Sequence, residues 1–332
     1  MQVPVVETPW QGKFPDLPNW SENYCLAAFD PGCGVGLWLH MGRWRKDLTM
    51  WREVVTIRLP DGNVVAHRAI GHARATRDGP GGPGYGIRVV ESGRKLTYSF
   101  GAGSRVVPAA EMRQGLVGEG VREPVSFELT FESNADIWDL HKVGDRQEFL
   151  PAGHIEQIGR VSGRIRVGER AYDLDTLGNR DHSLGPRDNK ALKSHQWLQG
   201  YFDNGTAFLL FDAVQRNDDK PVFSEAVVYE GDRMYPARLE MGWRCDDVSR
   251  AEKPMSFKLA YETATLEVES IAYRGNSYLS FTSPNDLYVG VYPSGNPPLT
   301  LLEQSVELRL NGSVKGYGCF ERTVPGVLAA EA

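Results

Sequence analysis

Cysteine is scarce, long apolar runs are missing, and positive charge is not concentrated anywhere along the chain. Each shortage removes a class of function. Four cysteines in 332 residues, Cys25, Cys33, Cys245 and Cys319, are too few and too far apart for a disulfide framework, and none forms the Cys-x-x-Cys pair of a zinc site. They read as reduced core residues. No stretch approaches the roughly 20 apolar residues that span a bilayer, and Met1–Pro18 has no basic start followed by an apolar run, so no integral membrane segment and a cytoplasmic location are expected. The sequons at Asn19, Asn204 and Asn311 then lose their meaning as glycosylation sites, and Asn204-Gly205 and Asn311-Gly312 are better explained as hairpin turns. A net charge of -6 with dispersed lysines and arginines offers nothing to a phosphate backbone and argues against nucleic acid as a partner.

What the chain does hold is glycine, proline and aromatic residues spread along its length, which favours many short strands joined by turns. Period-two alternation is clearest at Val125–Glu132, where Val125, Phe127, Leu129 and Phe131 share one face and Ser126, Glu128, Thr130 and Glu132 the other. Strands are also expected at Glu53–Leu59, Leu96–Phe100, Gly163–Val167, Thr206–Phe211, Ser256–Tyr261, Thr265–Ile271 and Val306–Leu310. Asp61-Gly62, Asn204-Gly205 and Asn311-Gly312 supply two-residue hairpin turns. Helical periodicity is limited to Pro108–Gly115 and a turn or two over Ala135–Lys142. The expected fold is all-β, with antiparallel strands closed into barrels or curved sandwiches so that their edges are covered. Two domains are expected, residues 1–188 and 189–332.

Two glycine patterns, Gly32–Gly36 and Gly79–Gly86, lack the Lys-Ser/Thr of a phosphate loop and open no helix, so they read as turn or bulge glycines. Asp181-His-Ser-Leu-Gly185 has the outline of a nucleophile elbow, but it lacks the first glycine, and Pro186 and Arg187 stand where a helix would begin. The densest chemistry is Leu177–Arg187 followed by His195–Phe202. So many polar groups either build a site or lock the structure through a hydrogen-bond network.

These segments, His154–Gly163, Leu177-Gly-Asn-Arg-Asp-His-Ser-Leu-Gly-Pro-Arg187 and Trp197-Leu-Gln-Gly-Tyr-Phe-Asp-Asn-Gly205, with the closing Gly316–Glu321, resemble the two-domain lipocalin-like proteins that include carotenoid hydratases (hydroxyneurosporene synthases) and AttH-like proteins. The first 150 residues resemble them only loosely. The resemblance implies two lipocalin-like β domains enclosing an apolar site for an isoprenoid-like or polycyclic small molecule. It places Asp181 and His182 at the positions of the family's acidic and imidazole groups. Arg180, Leu184, Trp197, Gln199 and Tyr201 are the substrate-binding candidates, Leu184 standing where the family often has tryptophan. The chemistry that the resemblance implies is addition of water to an alkene or its reverse, and because the chain carries no cofactor signature and no Cys and His clustered at ligand spacing, cofactor-independent and metal-free acid–base chemistry is expected. A cyclase or isomerase of a similar substrate, and a non-enzymatic hydrophobic carrier, are the competing readings.

Protonating an alkene needs an acid beside aromatic faces that shield a developing cation. Asp181 could be that acid if its pKa rose by roughly three units, at a cost of about 4 kcal/mol to its ionised form. In an extended segment Asp181 and Ser183 share one face and Arg180 and His182 the other, whereas a turn at Asp181 would let it pair with His182. His195 is a reserve base.

Overall fold

The computed structural model describes residues 7, 9, 13–14, 16–72, 78–140, 153–187, 189, 192–215, 221–240, 248–262, 264–282, 286–291 and 299–325. Strands dominate. In chain order they are β1 (Trp20–Asp30), β2 (Val35–Trp44), β3 (Asp47–Arg58), β4 (Asn63–His72), β5 (Tyr85–Glu91), β6 (Lys95–Pro108), β7 (Val121–Glu132), β8 (Trp138–Asp139), β9 (Gly153–Val167) and β10 (Arg170–Pro186). Then follow β11 (Leu192–Phe202), β12 (Thr206–Gln215), β13 (Pro221–Glu230), β14 (Arg233–Glu240), β15 (Ser256–Tyr261), β16 (Ala264–Thr282), β17 (Asp286–Val289), β18 (Leu299–Leu310) and β19 (Val314–Pro325). The helices among the described residues are short: α1 (Ala109–Arg113), a 3-10 turn at Val117–Glu119, and α2 (Val248–Ala251).

The fold is all-β and lipocalin-like. In the first sheet the strands run β10-β1-β2-β3-β4-β6-β7-β9, and β9 pairs back onto β10, which closes a barrel of eight. The second sheet runs β15-β14-β13-β12-β11-β19-β18-β16, with β15 pairing β16. Closure removes the unpaired edges that an all-antiparallel chain would otherwise expose. By contacts the chain divides into two units. One comprises Met1–Thr56, Val65–Val106 and Val121–Arg187, and the other Ile57–Val64, Val107–Gly120 and Asp188–Ala332.

The strong alternation at Val125–Glu132 becomes β7, with Val125, Phe127, Leu129 and Phe131 all buried. Asp61-Gly62, Asn204-Gly205 and Asn311-Gly312 turn the chain between β3 and β4, β11 and β12, and β18 and β19, with Gly62, Gly205 and Gly312 at positive φ. Pro108–Gly115 yields α1, but the helix expected over Ala135–Lys142 does not form in its described part. Trp138 and Asp139 pair with Glu156 and Ile155 instead, because the buried Trp138 gains more from the sheet than a single helical turn offers. Residues 141 and 142, like Cys245, lie outside the described residues. Cys25 and Cys319 are buried, and Cys33 is half-buried.

The glycine-rich segment before β5 has a local explanation. The amides of Gly84 and Tyr85 donate to the Glu53 carboxylate at 3.0 and 2.9 Å, and His67 Nε2 lies 2.8 Å from it. A Cβ at Gly82 would sit 2.3 Å from Glu53 Oε2, so glycine lets the backbone wrap the carboxylate closely. The anion in this turn is the protein's own.

Candidate active site

The dense motif is not a loop but the second half of β10, hydrogen-bonded on both edges. Arg180, Asp181, His182 and Ser183 face Leu26, Cys25, Tyr24 and Asn23 of β1, and Gln157, Glu156, Ile155 and His154 of β9. Extended geometry sends alternate side chains to opposite faces. Asp181 and His182 therefore do not pair with each other. From Leu174 to Gly178 the strand alternates buried with exposed, whereas Gly178–Arg180, His182 and Ser183 are all buried, so both faces of β10 are covered where the motif begins.

Arg180 and His182 lie on the face shared with the buried Leu174 and Thr176, inside the first unit. Arg180 donates through Nη2 to Gln157 Oε1 at 2.7 Å and to the Glu7 carboxylate, and lies 5.5 Å over the Phe131 ring. His182 stacks on Tyr24 at 4.0 Å and approaches Glu22 at 3.3 Å. Glu22 also accepts from Arg43 Nε at 2.7 Å. Burial alone would raise the Glu22 carboxyl, but His182 and Arg43 together hold it below the usual range.

On the opposite face the register assembles a different set. Glu156 is directly across from Asp181, and His154 across from Ser183. His154 Nε2 is 2.9 Å from Glu156 Oε1 and 3.4 Å from Asp181 Oδ2, and Asn179 Nδ2 donates to Glu156 Oε2 at 2.5 Å. Burial on its own would push the imidazole down. Its contacts with Asp181 and Glu156, and their charges, win and hold His154 at about 9. Burial lifts Glu156 to about 7 against the opposing pull of His154 and Asn179. The side chains of Glu156 and His154 are 0 and 4% exposed, that of Asp181 15%, so Asp181 is the member open to approach. In the same rows across β1 and β2 lie Cys25 and His40, and Asn23 and Gly42. Burial and the charges of Arg52 and Arg187 hold His40 well below its ordinary value, so it stays neutral. A Cβ at Gly42 would come within 2.5 Å of Asn23 Oδ1, which explains the glycine.

His154 and Glu156 were not among the residues singled out from the sequence for chemistry. The available signal was the His-x-Glu spacing in a strand, which puts both side chains on one face. The expectation of no metal rested on cysteine and histidine spacing along the chain. Among the described residues His154, Glu156 and Asp181 form one group whose potential ligand atoms all lie within 4.8 Å of one another. One imidazole and two carboxylates suit a divalent cation, and they suit a shared proton equally well.

The remaining sequence candidates are spread over both units. Leu184 is half-buried in β10. Trp197, Gln199 and Tyr201 are buried in the second unit on one face of β11, with Tyr201 Oη donating to Gln199 Oε1 at 2.8 Å. His195 Nε2 on the same strand contacts Glu321 Oε1 at 2.7 Å. A cleft of about 600 Å³ in the first unit is lined elsewhere, by Asp78, Pro80–Arg88, Ser99–Gly101 and Glu128.

The raised His154 value has a sign that can be tested. The native state keeps a proton that the unfolded chain releases near 6.5, so this contribution is whole below about 6.5 and is lost as pH rises through 9. Glu156, raised from 4.5 to about 7, acts in the same direction over a lower range. Urea unfolding at pH 6.5 and pH 9 should show the wild type losing on the order of 3 kcal/mol more than His154→Asn. Equal losses would mean that His154 titrates normally.

A family described as "Domain of unknown function (DUF7064)" matches residues 12–293. No curated protein matches the chain. Among solved structures, it is similar to an AttH-type protein from Nitrosomonas europaea at 11% identity and TM-score 0.59, covering 96% of this chain and 99% of that one. CghA in complex with Sch210972 aligns at 13% identity and TM-score 0.57, over 93% and 89% of the two chains. Kievitone hydratase from Nectria haematococca aligns at 10% identity and TM-score 0.51, over 94% and 91%. At these identities the likeness is one of fold.

Proposed function

The chain belongs to the DUF7064 family, whose function is unknown, and we propose that it is a hydro-lyase that adds water to an alkene of a hydrophobic isoprenoid-like or polycyclic small molecule, or removes it from the corresponding alcohol. The observation that carries this reading is the buried His154–Glu156–Asp181 set, which stores a proton next to the one carboxylate a substrate can reach. The name of kievitone hydratase, a protein of similar fold, supports the reaction class.

In the hydration direction the proton held by His154 passes through Asp181, the exposed member of the set, to one alkene carbon, and the π electrons form the new C–H bond. Asp181, 3.4 Å from the imidazole, faces the cationic carbon as a counter-charge. Water then adds to that carbon, and its surplus proton returns through Asp181 to His154, so the residues end as they began. Glu156 and Asn179 hold the imidazole in place. Arg180 and His182, on the other face, keep the strand in register through Glu7, Gln157 and Glu22.

Mass spectrometry of organic extracts from the purified protein would identify the ligand. Incubating that ligand, and kievitone as a named probe, in oxygen-labelled water should give a product with one labelled oxygen, at a rate that falls as pH rises through about 9. A product isomeric with its substrate and free of label would replace the hydro-lyase with a cyclase or isomerase. Stoichiometric binding without turnover would leave a carrier.

A further inference from the structure

A second polar cluster lies within the other unit, on the face of its sheet away from the apolar cluster of Leu198, Phe208, Phe257 and Phe320. Cross-strand register sets Trp197 opposite Glu321 and Glu321 opposite Glu303, and in the next row Gln199 opposite Cys319 and Cys319 opposite Ser305. Directly opposed side chains share a face, so these residues form a patch about 10 Å wide across β11, β19 and β18. Arg58, from the β3–β4 hairpin tip that belongs to this unit, bonds Ser305 Oγ at 2.9 Å and Ser277 Oγ at 3.4 Å and reaches Cys319 Sγ at 4.0 Å. Glu321 is paired with His195.

Among the described residues two donors in this patch have no partner. Trp197 Nε1 and Gln199 Nε2 are both buried without a hydrogen bond, in residues only 4 and 1% exposed. Tyr201 Oη fixes the Gln199 amide by donating to its oxygen, which leaves the nitrogen as the free end. Leaving a buried donor unsatisfied costs about 1–3 kcal/mol, so two on one face of one strand mark a place shaped for an acceptor. Among the described residues no N–H or hydroxyl group donates to either carboxyl oxygen of the buried Glu303, whose side chain faces that of Glu321. Burial, and then the charge of Glu321, push this carboxyl well above the carboxylate range. One arginine beside two carboxyl groups leaves the patch without the excess positive charge an anion would need.

We infer that Trp197 and Gln199 form a recognition site for the carbonyl oxygen of a neutral, largely apolar small molecule, bordered by the Glu303–Glu321 carboxyl pair. The site is built from residues of the second unit and requires no turnover to be tested.

Benzophenone and diphenylmethane differ by one carbonyl oxygen and serve as matched probes for equilibrium binding, and irradiated benzophenone also cross-links to what surrounds it. Benzophenone should bind the wild type roughly tenfold more tightly than diphenylmethane, with each indole or amide bond worth about threefold. Its photo-adducts should map to β11, β18 or β19. Trp197→Phe and Gln199→Met should each lower the preference several-fold without changing diphenylmethane binding, and two variants keep the test open if one folds poorly. No benzophenone binding, equal affinity for the two probes, a preference that survives in the double variant, or adducts confined to other strands would each overturn the inference.

Discussion

Replacing Asp181 with asparagine should lower turnover by about 10²- to 10⁴-fold while the melting temperature stays within a few degrees of wild type. Asparagine keeps the shape of the side chain but can neither carry the returning proton nor face a cationic carbon as a charge. The loss should be in kcat, with little change in substrate affinity, because the charge matters chiefly once the cation has formed. The same variant should bring the high-pH limb of the rate profile down from about 9, since Asp181 is one of the two carboxylates that hold the His154 proton. Full activity in a destabilised protein would reject the role and leave Asp181 as a structural residue.

The adjacent position should behave in the opposite way. Arg180→Met is expected to cost about 3–5 kcal/mol, because it strands the Glu7 carboxylate in a buried site with its counter-ion removed. Arg180 ties the segment at Glu7 to Gln157 of β9, Glu7 Oε2 accepts from the Gly93 amide at 2.6 Å, and Gln157 donates to the carbonyls of Gly93 and Ala135. For a unit of this size a loss of that order lowers the melting temperature by roughly 10 °C. The double variant Glu7→Gln/Arg180→Met should recover much of it, since neither charge is then left alone. An Arg180→Met protein as stable as wild type would show that the pair contributes nothing net. Two neighbouring residues thus give contrasting signatures, one in rate and one in stability, because a strand turns them to opposite faces.

Local patterns in the sequence were enough for the class of fold. The alternation at Val125–Glu132 needs only one buried and one open face, and Asn311-Gly312 needs only φ values that other residues avoid. The same period-two rule separates Arg180 and His182 from Asp181 and Ser183 once that segment is extended. It fails as a guide to burial between Gly178 and Ser183, where both faces are covered and polar residues alternate with polar residues. That coverage, and the partners of each side chain, came only with the tertiary structure. The partner of Asp181 is not its neighbour His182 but His154 on the preceding strand, brought within 3.4 Å by the β9–β10 register. Likewise Trp197 shares its row with Glu321 and Glu303, which are remote from it in the chain. Periodicity along a strand says which face a side chain takes, since backbone geometry sets it locally. What stands across from it depends on strand order, register and closure, and those are fixed by the packing of the whole barrel.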